Sequence, residues 1–364
     1  MKKIAILYPA HFEQSFGGAE IQVKYLYEAC LEKGFEVHFI FEDKGTKITQ
    51  RENVFLYPIR EKIVYKGFGK GWFLCKRQIE IFLDQASPDV IYTRLGSSWV
   101  GIAAKYAKKH NIKHIHALAS DKDTPRKLLG KPYYPLFSQI ETFWLNYGLK
   151  NASVVISQNE LQSHNLEKRW RKNSVIINQM TPIVAEETIK KRTDKVLILW
   201  VANFKDAKRP ELFIELAESL APYKDRVEMY MCGRIPDSYC HLLKEVESIP
   251  WLKCLGPLSQ EDVFKLMAES HILVNTSKYE GFSNTFVQGW MRKMVVISMN
   301  SNPSNILTDK GIGYMAPNVR LLKDTVANII ENRQQIESLG QRAYEYAVSF
   351  HSLEKNMEQM MSLL

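Results

Sequence analysis

Short apolar runs alternate with helix-like segments along the first half of the chain. The first of them is KIAILYPA, which is almost continuously apolar, as is typical of a strand buried on both faces of a sheet. A glycine-containing loop follows it. Apolar residues then recur at helical spacing, at Ala19, Val23, Leu26 and Cys30. The alternation continues with FEVHFIF, DVIYT, IKHIHALAS, SVVIS and SVIIN. It predicts an α/β fold with a parallel, doubly wound sheet.

The alternation breaks in the middle of the chain, at TPIVAEETIKKRTDK, a polar and charged run that we interpret as a linker. It restarts with VLILWVA, RVEMYMCG, HILVNTS and MVVISM, which predict a second parallel sheet. A chain of 364 residues is longer than one compact core usually organises. We therefore expect two Rossmann-like domains, residues 1–185 and residues 186–344, which face each other across a cleft.

The composition is that of an ordinary globular protein, with 45% hydrophobic and 24% charged residues. No run approaches about 18 uninterrupted apolar residues, so no membrane-spanning helix is predicted. The apolar stretch at the beginning is short and runs into a glycine-containing loop, which does not fit a signal peptide. Five scattered cysteines form no CxxC pair, as expected of reduced thiols. These features predict a cytoplasmic protein.

The positive charge is concentrated in the first half of the chain. The formal net charge is +9, and residues 1–185 hold 27 Lys and Arg against 17 Asp and Glu. The other 179 residues hold 22 against 23. This asymmetry predicts a polyanionic partner, such as an anionic membrane surface, although a solvated basic surface explains it equally well. Because no nucleic-acid-binding motif is present, nucleic acid is not an expected partner.

The segment YEGFSNTFVQGW, residues 279–290, has the pattern of a phosphate-binding loop. It follows the predicted strand HILVNTS and leads into a predicted helix near Asn284. Gly281 lets the backbone approach a ligand closely, and a helix start offers free N–H groups to a phosphate. Asn284 and Thr285 add side-chain donors, and Gln288 lies one turn further along the same face. Taken alone, this spacing also suits an ordinary turn from strand to helix.

Two further loops have related patterns. One is VANFKDAKRPE, in which Lys208 comes just before the helix that Pro210 is expected to open. A cation there faces the same crevice and suits a diphosphate, although a lone lysine is often simply solvated. The other is SFGGAE, in which Gly17 and Gly18 precede the first helix and allow a phosphate to approach. Each loop is a weak signal by itself, because glycine is common in strand-to-helix turns.

Taken together and in order, these motifs resemble glycosyltransferase family 4, the glycosyl transferases group 1. The family's segment reads roughly E-G-F-x-N-T-x-x-E-A-W, and here it reads EGFSNTFVQGW. Similarity to the family extends to DVIYTRLGSSWVGIAA and YAVSFHSLEKNMEQM, and so to essentially the whole chain. The resemblance implies a GT-B fold in which the first domain binds the acceptor and the second binds a nucleotide-sugar. The last helix, at about residues 345–364, is expected to pack back on the first domain.

The resemblance also implies a retaining transfer of a sugar that needs no metal and no cofactor. The candidate catalytic residues are Glu280 at the donor sugar, Lys208 at the diphosphate and His116 at the sugar or acceptor. A purely structural role suits the strand residue His116 equally well. The candidate donor-binding residues are Gly17, Gly18, Asn203, Gly233, Gly281, Phe282, Ser283, Asn284, Thr285 and Gln288.

The chain departs from the family pattern in both donor-site loops. Gln288 replaces a glutamate that binds ribose hydroxyls, and an amide accepts through one oxygen only. We expect weaker donor binding, by on the order of 1 kcal/mol. Asn203 stands where the family often has Arg, so one cation near the diphosphate is missing. Lys293 and Val295 replace a Gly and a Pro, which should affect the turn rather than the chemistry.

Two weaker signals lie in the first half of the chain. Asp121-Lys122-Asp123 matches the D-x-D metal motif of a different glycosyltransferase fold, but a solvated turn is the preferred interpretation. The segment at residues 125–150 mixes basic residues with large aromatic ones. It is compatible with a surface that rests on an anionic membrane, and equally with a core-packing helix behind a basic loop.

We therefore predict a glycosyltransferase that moves a sugar from a UDP- or GDP-linked donor to a glycan or lipid-linked acceptor in cell-surface polysaccharide biosynthesis. Its expected location is the cytoplasm, with peripheral contact between the basic first domain and the inner face of the cell membrane. Two alternatives remain open. One is an epimerase or phosphorylase on the same fold, and the other is a catalytically silent partner subunit, which Gln288 and Asn203 suggest.

Overall fold

The computed structural model describes the chain apart from residues 16, 61–63, 66–68, 121–122 and 124–135. It divides into two compact units. The first unit consists of Met1–Asn178 together with Lys355–Leu364, and the second consists of Gln179–Glu354. The change of unit comes before the predicted boundary at residue 185, and the linker predicted at residues 181–195 belongs to the second unit.

The first unit is built on a parallel sheet that forms from the predicted apolar runs. In chain order, the strands of this unit are β1 (Lys3–Leu7), β2 (Glu36–Glu42), β3 (Val54–Ile59), β4 (Val64–Tyr65), β5 (Gly69–Lys70), β6 (Val90–Arg94), β7 (Lys113–Ala117), β8 (Val154–Ser157) and β9 (Val175–Ile176). Within the described residues, seven of them form one sheet in the order β3-β2-β1-β6-β7-β8-β9, with parallel neighbours throughout. The short strands β4 and β5 pair antiparallel. The strand order reverses between β1 and β6, as in a doubly wound sheet.

Helices follow most strands of the first unit: α1 (Gly18–Glu32), α2 (Lys76–Ala86), α3 (Ser98–His110), α4 (Leu136–Asn151) and α5 (Glu160–Trp170). The helices α3 and α4 pack closely because each has a glycine at the contact. A Cβ atom on Gly101 would lie 2.2 Å from the carbonyl oxygen of Trp144. A Cβ atom on Gly148 would lie 2.6 Å from the carbonyl carbon of Val100. Any larger side chain would therefore push the two helices apart.

The helix α4 forms the second part of the basic and aromatic segment at residues 125–150, of which residues 125–135 lie outside the described residues. It buries Leu145 and Leu149 in one hydrophobic cluster with Val100. The interpretation as a core-packing helix therefore holds for this part of the segment. The same helix leaves Leu136 and Phe143 exposed, at 58% and 53%.

The second unit repeats the architecture with a shorter sheet. Its strands are β10 (Val196–Val201), β11 (Val227–Cys232), β12 (Leu252–Cys254), β13 (Ile272–Asn275), β14 (Val295–Ser298) and β15 (Gly313–Met315). Their order is β12-β11-β10-β13-β14-β15, and every neighbouring pair is parallel. The strands β10, β13 and β14 are almost entirely buried, which explains why their sequences are mostly apolar. The strand order reverses between β10 and β13.

The helices of the second half are α6 (Pro210–Ser219), α7 (Leu242–Glu247), α8 (Gln260–Glu269), α9 (Asn284–Trp290), α10 (Ile306–Asp309), α11 (Val319–Glu331), α12 (Arg333–His351) and α13 (Leu353–Ser362). The predicted start of α6 at Pro210 is confirmed. The sequence also predicts a cap for α8, because Ser259 and Asp262 have the spacing of a capping pair. This cap is confirmed, since the Ser259 hydroxyl oxygen accepts from the backbone N–H of Asp262 at 3.1 Å. The helix α12 packs closely on the turn before β14, where a Cβ atom on Gly340 would lie 2.3 Å from the carbonyl oxygen of Lys293.

The end of the chain belongs to the first unit, as residues Lys355–Leu364 pack with Met1–Asn178. There the Lys2 ammonium donates to the carbonyl oxygen of Leu364 at 2.7 Å. None of the helices in the described part of the chain is both long and apolar enough to cross a membrane.

Candidate functional site

The loops after β10 and β13 meet at the carboxyl edge of the second sheet, at the point where its strand order reverses. The two strands are direct neighbours, with Ile198 opposite Ile272. The chain continues from β10 to one side of the sheet and from β13 to the other, so this is the switch point of the sheet, where open α/β sheets form a crevice. Ligands of open α/β sheets bind in this kind of crevice. The two loops are the ones that carry Lys208 and Glu280.

Thr276 connects the two loops. Its hydroxyl donates to the carbonyl oxygen of Lys208 at 2.5 Å and accepts from the indole N–H of the buried Trp200 at 2.9 Å. The backbone N–H of Lys278 adds a further hydrogen bond to the carbonyl oxygen of Ala207 at 2.8 Å. Lys208 is therefore positioned by contacts with the loop after β13 as well as by contacts within its own loop.

Lys208 and Glu280 form an ion pair between the two loops. The Glu280 Oε1 atom also accepts from the Ser277 hydroxyl at 2.8 Å and from the Asn275 side-chain amide at 3.4 Å. The side chains of Lys208 and Glu280 are 20% and 15% exposed, so both remain in contact with solvent. An ammonium group and a carboxylate thus stand side by side at the crevice, where one can bind an anion and the other can accept from hydroxyls.

Arg209 holds the same two loops together, and the sequence offered no signal for it. Its backbone has a φ of +50°, in the left-handed region, directly before α6. From there its guanidinium donates to the carbonyl oxygen of Thr276 at 2.6 Å and to that of Ser277 at 3.4 Å. This cation is engaged with backbone carbonyls, and it supports the crevice from behind Lys208.

Asn203 and Gly233 lie together at the carboxyl ends of β10 and β11. The Asn203 side-chain oxygen accepts from the backbone N–H of Arg234 at 3.0 Å. Gly233 has a φ of +149°, and a Cβ atom on it would lie 1.9 Å from the carbonyl oxygen of Ala202. No other residue fits there, because the two loops pass too closely. Donor contacts of Asn203 and Gly233 stay predictions.

The helix α9 begins within the predicted phosphate loop. Ser283 precedes it, and the Ser283 and Thr285 hydroxyls lie 2.9 Å apart and share a hydrogen bond. Gly281, Asn284 and Thr285 are half-buried. The helix has only seven residues, so its dipole is small, but its first turn still offers N–H groups without an intrahelical partner. The main positive charge of the crevice therefore comes from Lys208.

Phe282 and Gln288 have buried side chains. Phe282 is 4% exposed and packs against Trp290 and His351, with ring centroids 6.2 and 5.0 Å apart. Its side chain belongs to the core of the second unit, so only its backbone is available to a ligand. Gln288 is 6% exposed, and its backbone carbonyl oxygen accepts from the Arg292 guanidinium at 3.0 Å. Ribose contact by Gln288 stays a prediction.

The remaining predicted site residues lie in the first unit. Gly17 precedes α1 and Gly18 is its first residue. A Cβ atom on Gly17 would lie 2.4 Å from the Glu20 Oε2 atom, so the Glu20 carboxylate folds back over this glycine. Burial, the charge of Glu20 and a hydrogen bond to it raise the pKa of Tyr8 well above its usual value. Gly17 thus leaves room for the Glu20 carboxylate near the buried Tyr8, and phosphate contact of Gly17 and Gly18 stays a prediction.

His116 is completely buried on β7, beside His114. The Thr93 hydroxyl lies 2.8 Å from His114 Nε2 and 2.9 Å from His116 Nδ1, so it forms a hydrogen bond with each ring and can donate to only one of them. Burial lowers the pKa of both imidazoles to about 3, with contributions from His116 at His114 and from Arg94 at His116. Both rings are therefore neutral at physiological pH. Contact of His116 with sugar or acceptor stays a prediction.

The expected solvated turn at the D-x-D sequence is wrong for Asp123. This residue is 4% exposed, and its Oδ2 atom accepts from the backbone N–H groups of Ala119 and Ser120 at 2.8 and 3.0 Å. A short carboxylate often satisfies nearby backbone donors in this way. Asp123 therefore stabilises the turn after β7. Asp121 and Lys122 lie outside the described residues.

Two family models match the chain, one in each half. Residues 16–178 match the model described as Glycosyltransferase Family 4, and residues 185–346 match that described as Glycosyl transferases group 1. The chain belongs to glycosyltransferase family 4. The family predicted from its motifs is therefore confirmed, and the family supports a transferase activity.

Solved structures share the fold of this family 4 glycosyltransferase. Sucrose-phosphate synthase from Thermosynechococcus elongatus is 15% identical, with a TM-score of 0.79 over 100% of this chain and 98% of the other. HepE from Anabaena, in complex with UDP and glucose, is 14% identical, with a TM-score of 0.74 over 100% and 99%. WaaG, a glycosyltransferase involved in lipopolysaccharide biosynthesis, is 13% identical, with a TM-score of 0.76 over 97% and 98%.

At these identities the likeness shows the fold alone. The predicted GT-B fold, with two parallel-sheet Rossmann-like domains, is thereby confirmed. No sequence among the curated proteins matches the glycosyltransferase. Within its second unit, the structure brings Lys208 and Glu280 into direct contact, and it adds Asn275, Ser277 and Arg209 as supporting residues.

Proposed function

We propose that this glycosyltransferase moves a sugar from a UDP- or GDP-linked donor to a glycan or lipid-linked acceptor with retention at the anomeric carbon and without a metal ion. The observation that supports the proposal most directly is the Lys208–Glu280 pair at the switch point of the second sheet. It offers one cation for a diphosphate and one carboxylate for sugar hydroxyls in a crevice of the kind that holds nucleotides.

The chemistry needs a group that stabilises the leaving diphosphate. The bond between the anomeric carbon and the diphosphate oxygen breaks, and the acceptor oxygen bonds to that carbon on the same face of the sugar. The acceptor hydroxyl gives its proton to the released phosphate oxygen, so no strong protein base is required. Lys208 stabilises the charge that develops on the diphosphate, and the N–H groups at the start of α9 assist it.

Glu280 orients the donor sugar in this mechanism. Its Oε1 atom is held by Ser277 and Asn275, which restricts the carboxylate to one orientation. A carboxylate that is held in this way accepts from sugar hydroxyls and places the anomeric carbon for attack. Its contact with Lys208 links the sugar and the diphosphate ends of the site.

A nucleotide-sugar donor is also supported by the solved relatives. The HepE structures contain UDP, UDP with glucose, or UDP-glucose. UDP-sugars are therefore the first donors to test. The involvement of WaaG in lipopolysaccharide biosynthesis supports an acceptor from cell-surface polysaccharide assembly.

The acceptor side of the proposal rests on the first half of the chain. The excess positive charge lies there, and α4 exposes Leu136 and Phe143. Basic residues combined with exposed apolar side chains favour peripheral binding to an anionic membrane, where lipid-linked acceptors are found. We propose that the protein acts at the inner face of the cell membrane.

The test is a panel of UDP- and GDP-sugars in a thermal unfolding assay, followed by a transfer assay. A donor at 100 times its Kd stabilises the folded protein by about 2.7 kcal/mol, which is easily measured as a rise in Tm. Lys208→Ala should lose this stabilisation. Transfer should continue in the presence of a chelator, and the product should keep the donor's anomeric configuration in an NMR spectrum.

Three results would contradict the proposal. If no nucleotide-sugar raised the Tm at millimolar concentration, the chain would be a catalytically silent relative. Epimerisation of a donor without any acceptor would identify an epimerase. An inverted product would exclude the retaining course while leaving the donor site intact.

A further inference from the structure

A cavity lined by several basic residues lies at the amino edge of the second sheet. Its volume is about 550 Å³, and we call it the basic cavity. Its lining includes residues that precede three strands of the sheet: Lys191 and Arg192 before β10, His271 immediately before β13, and Lys293 shortly before β14. Lys208 and Glu280 follow the carboxyl ends of these strands, so the basic cavity is at the opposite edge of the sheet. Its principal lining side chains are Lys191, Arg192, His271, Lys293, Arg333 and Glu337.

The cations of the basic cavity are each held by a defined partner. Arg192 pairs with Asp194 at 2.7 Å and approaches Glu228 at 3.6 Å. Lys293 pairs with Glu186. These contacts fix the direction of the guanidinium and the ammonium group without removing either from the lining of the cavity.

Lys191 and Arg333 are held by backbone oxygens, which carry no full charge. The Lys191 ammonium donates to the carbonyl oxygens of Met267, at 3.2 Å, and Ser270, and the Arg333 guanidinium donates to that of Thr193. Backbone carbonyls orient a cation but do not neutralise it. The Arg333 guanidinium therefore leaves positive charge at the basic cavity, whereas burial disfavours the charged form of Lys191.

The pKa values of two lining groups are lowered mainly by burial and additionally by nearby cations. Burial lowers the pKa of Lys191 well below its usual value, and the charges of Arg292 and Lys293 lower it further. Burial also lowers the pKa of His271 to about 4, again with contributions from Lys191 and Arg333. Arg333, which is held by a backbone oxygen, is the cation of the lining that can attract an anion into the cavity.

Lys293 has a backbone conformation that residues other than glycine rarely adopt. Its φ is +56°, in the left-handed region where glycine is favoured, and the family pattern has a glycine at this point. Gly340 allows α12 to approach the turn so closely that a Cβ atom would lie 2.3 Å from the Lys293 carbonyl oxygen. This approach brings Arg333 and Glu337, both on α12, to the same cavity as Lys293.

We propose that the basic cavity binds a small phosphate monoester that carries hydroxyl groups. The guanidinium group of Arg333 suits recognition of phosphate, and Lys293 adds a point charge, whereas Arg192 is already paired with Asp194 through two of its nitrogens. Glu337 would repel a bare phosphate but accepts hydrogen bonds from hydroxyl groups of an attached polyol. A cavity of this volume is within the range of sites for small metabolites.

The test is calorimetric titration of the full chain with glycerol 3-phosphate and with inorganic phosphate at constant ionic strength. Every variant is made in a Lys208→Gln background, so that the loop after β10 cannot account for binding. Arg333→Gln and Lys293→Asn should each weaken glycerol 3-phosphate binding about tenfold. Asn tolerates the left-handed backbone, so Lys293→Asn should fold even where Arg333→Gln does not.

Two controls separate a built site from general charge. Lys310→Gln removes one exposed cation of the same unit outside the lining, and it should leave the affinity unchanged. Glu337→Gln should keep or tighten the binding of inorganic phosphate and reduce the preference for glycerol 3-phosphate. Vesicles with and without phosphatidic acid identify the source of the phosphate group. Binding to phosphatidic acid vesicles that Arg333→Gln weakens supports a lipid headgroup. Binding of glycerol 3-phosphate without binding to vesicles supports a free metabolite.

The proposal is overturned if the folded protein shows no saturable binding at millimolar concentration. It is also overturned if Lys310→Gln weakens binding as much as Lys293→Asn. Phosphate binding that disappears with Lys208→Gln alone would belong to the loop after β10, and the basic cavity would then have no ligand of this class.

Discussion

Both sheets carry polar side chains close to their switch points, but these side chains differ in burial and charge. In the first sheet, His114 and His116 are within a strand, completely buried, and kept neutral around the Thr93 hydroxyl. In the second, Lys208 and Glu280 lie in loops just beyond the strand ends and remain partly exposed as an ion pair. Desolvation disfavours charge, so a full charge persists only where the chain has left the sheet. The loops beyond the second sheet thus have charge available for a diphosphate, whereas the two histidines of the first sheet offer none.

The largest expected effect is that of Lys208→Ala. Removing the cation should lower kcat with a nucleotide-sugar about 10²- to 10³-fold, because the leaving diphosphate loses its main stabilising charge. Steady-state kinetics measure this directly. Lys278→Ala is the matched control, since it removes an exposed lysine of the partner loop that pairs with Asp206. Equal losses in both variants would mean that Lys208 has no special role.

Glu280→Ala should come next, with a loss of turnover of about 10²-fold from lost orientation of the sugar. Glu280→Gln keeps the shape and one acceptor oxygen, so it should lose less. Kinetics with the same donor give the comparison, and Asp206→Asn in the adjacent loop serves as the control. Full turnover in Glu280→Ala would show that the assignment of this loop is wrong.

The histidines of the first sheet should affect stability rather than turnover. Their folded pKa of about 3 lies below the value near 6.5 expected in the unfolded chain, so the unfolded state binds more protons between these pH values. Their stabilisation is complete above pH 6.5 and is lost as the pH falls toward 3. At pH 5 each histidine should already cost about 2 kcal/mol.

His116→Asn tests this by urea unfolding at pH 7 and pH 5. The variant should be less stable at pH 7, by about 2 kcal/mol, because it leaves space and an altered contact at Thr93. It should also lose about 2 kcal/mol less than the unmodified chain between pH 7 and pH 5. A variant with normal stability but little turnover would instead make His116 a substrate contact and break the contrast between the two sheets.

The smallest effect is expected for Gln288→Glu. A carboxylate accepts from two ribose hydroxyls, so the KM for the donor should stay the same or fall, by about tenfold at most. The substitution buries a charge in a side chain that is only 6% exposed, so the Tm should be measured in parallel. A rise in KM would show that the glutamine is adapted to its place.

The sequence predicted the features that depend on local patterns of residues. Buried parallel strands produce continuous apolar runs, so β1 and β10 were found where KIAILYPA and VLILWVA stand. The cap of α8 was found because Ser259 and Asp262 are three residues apart. The meeting of the Lys208 and Glu280 loops followed from the order of parallel strands and from the family's motifs.

The features that the sequence missed depend on contacts between distant parts of the chain. Arg209 acts on the carbonyl oxygen of Thr276, which is 67 residues away, and no local pattern indicates such a contact. The basic cavity combines Lys191, from a run that was predicted as a plain linker, with Arg333 from α12. The sequence predicted a solvated turn at Asp123, which is in fact buried. The local pattern could not show this, because the burial of a side chain depends on how the rest of the fold packs around it.

The division of the chain has a consequence for its synthesis. The first unit needs Lys355–Leu364 as well as Met1–Asn178, while the second unit is one continuous segment between them. On a ribosome that adds about 5–20 residues per second, the interval between Asn178 and Leu364 lasts on the order of 10–40 s. Throughout that time Met1–Asn178 exists without Lys355–Leu364, so the first unit cannot reach its final packing until its last ten residues have been made.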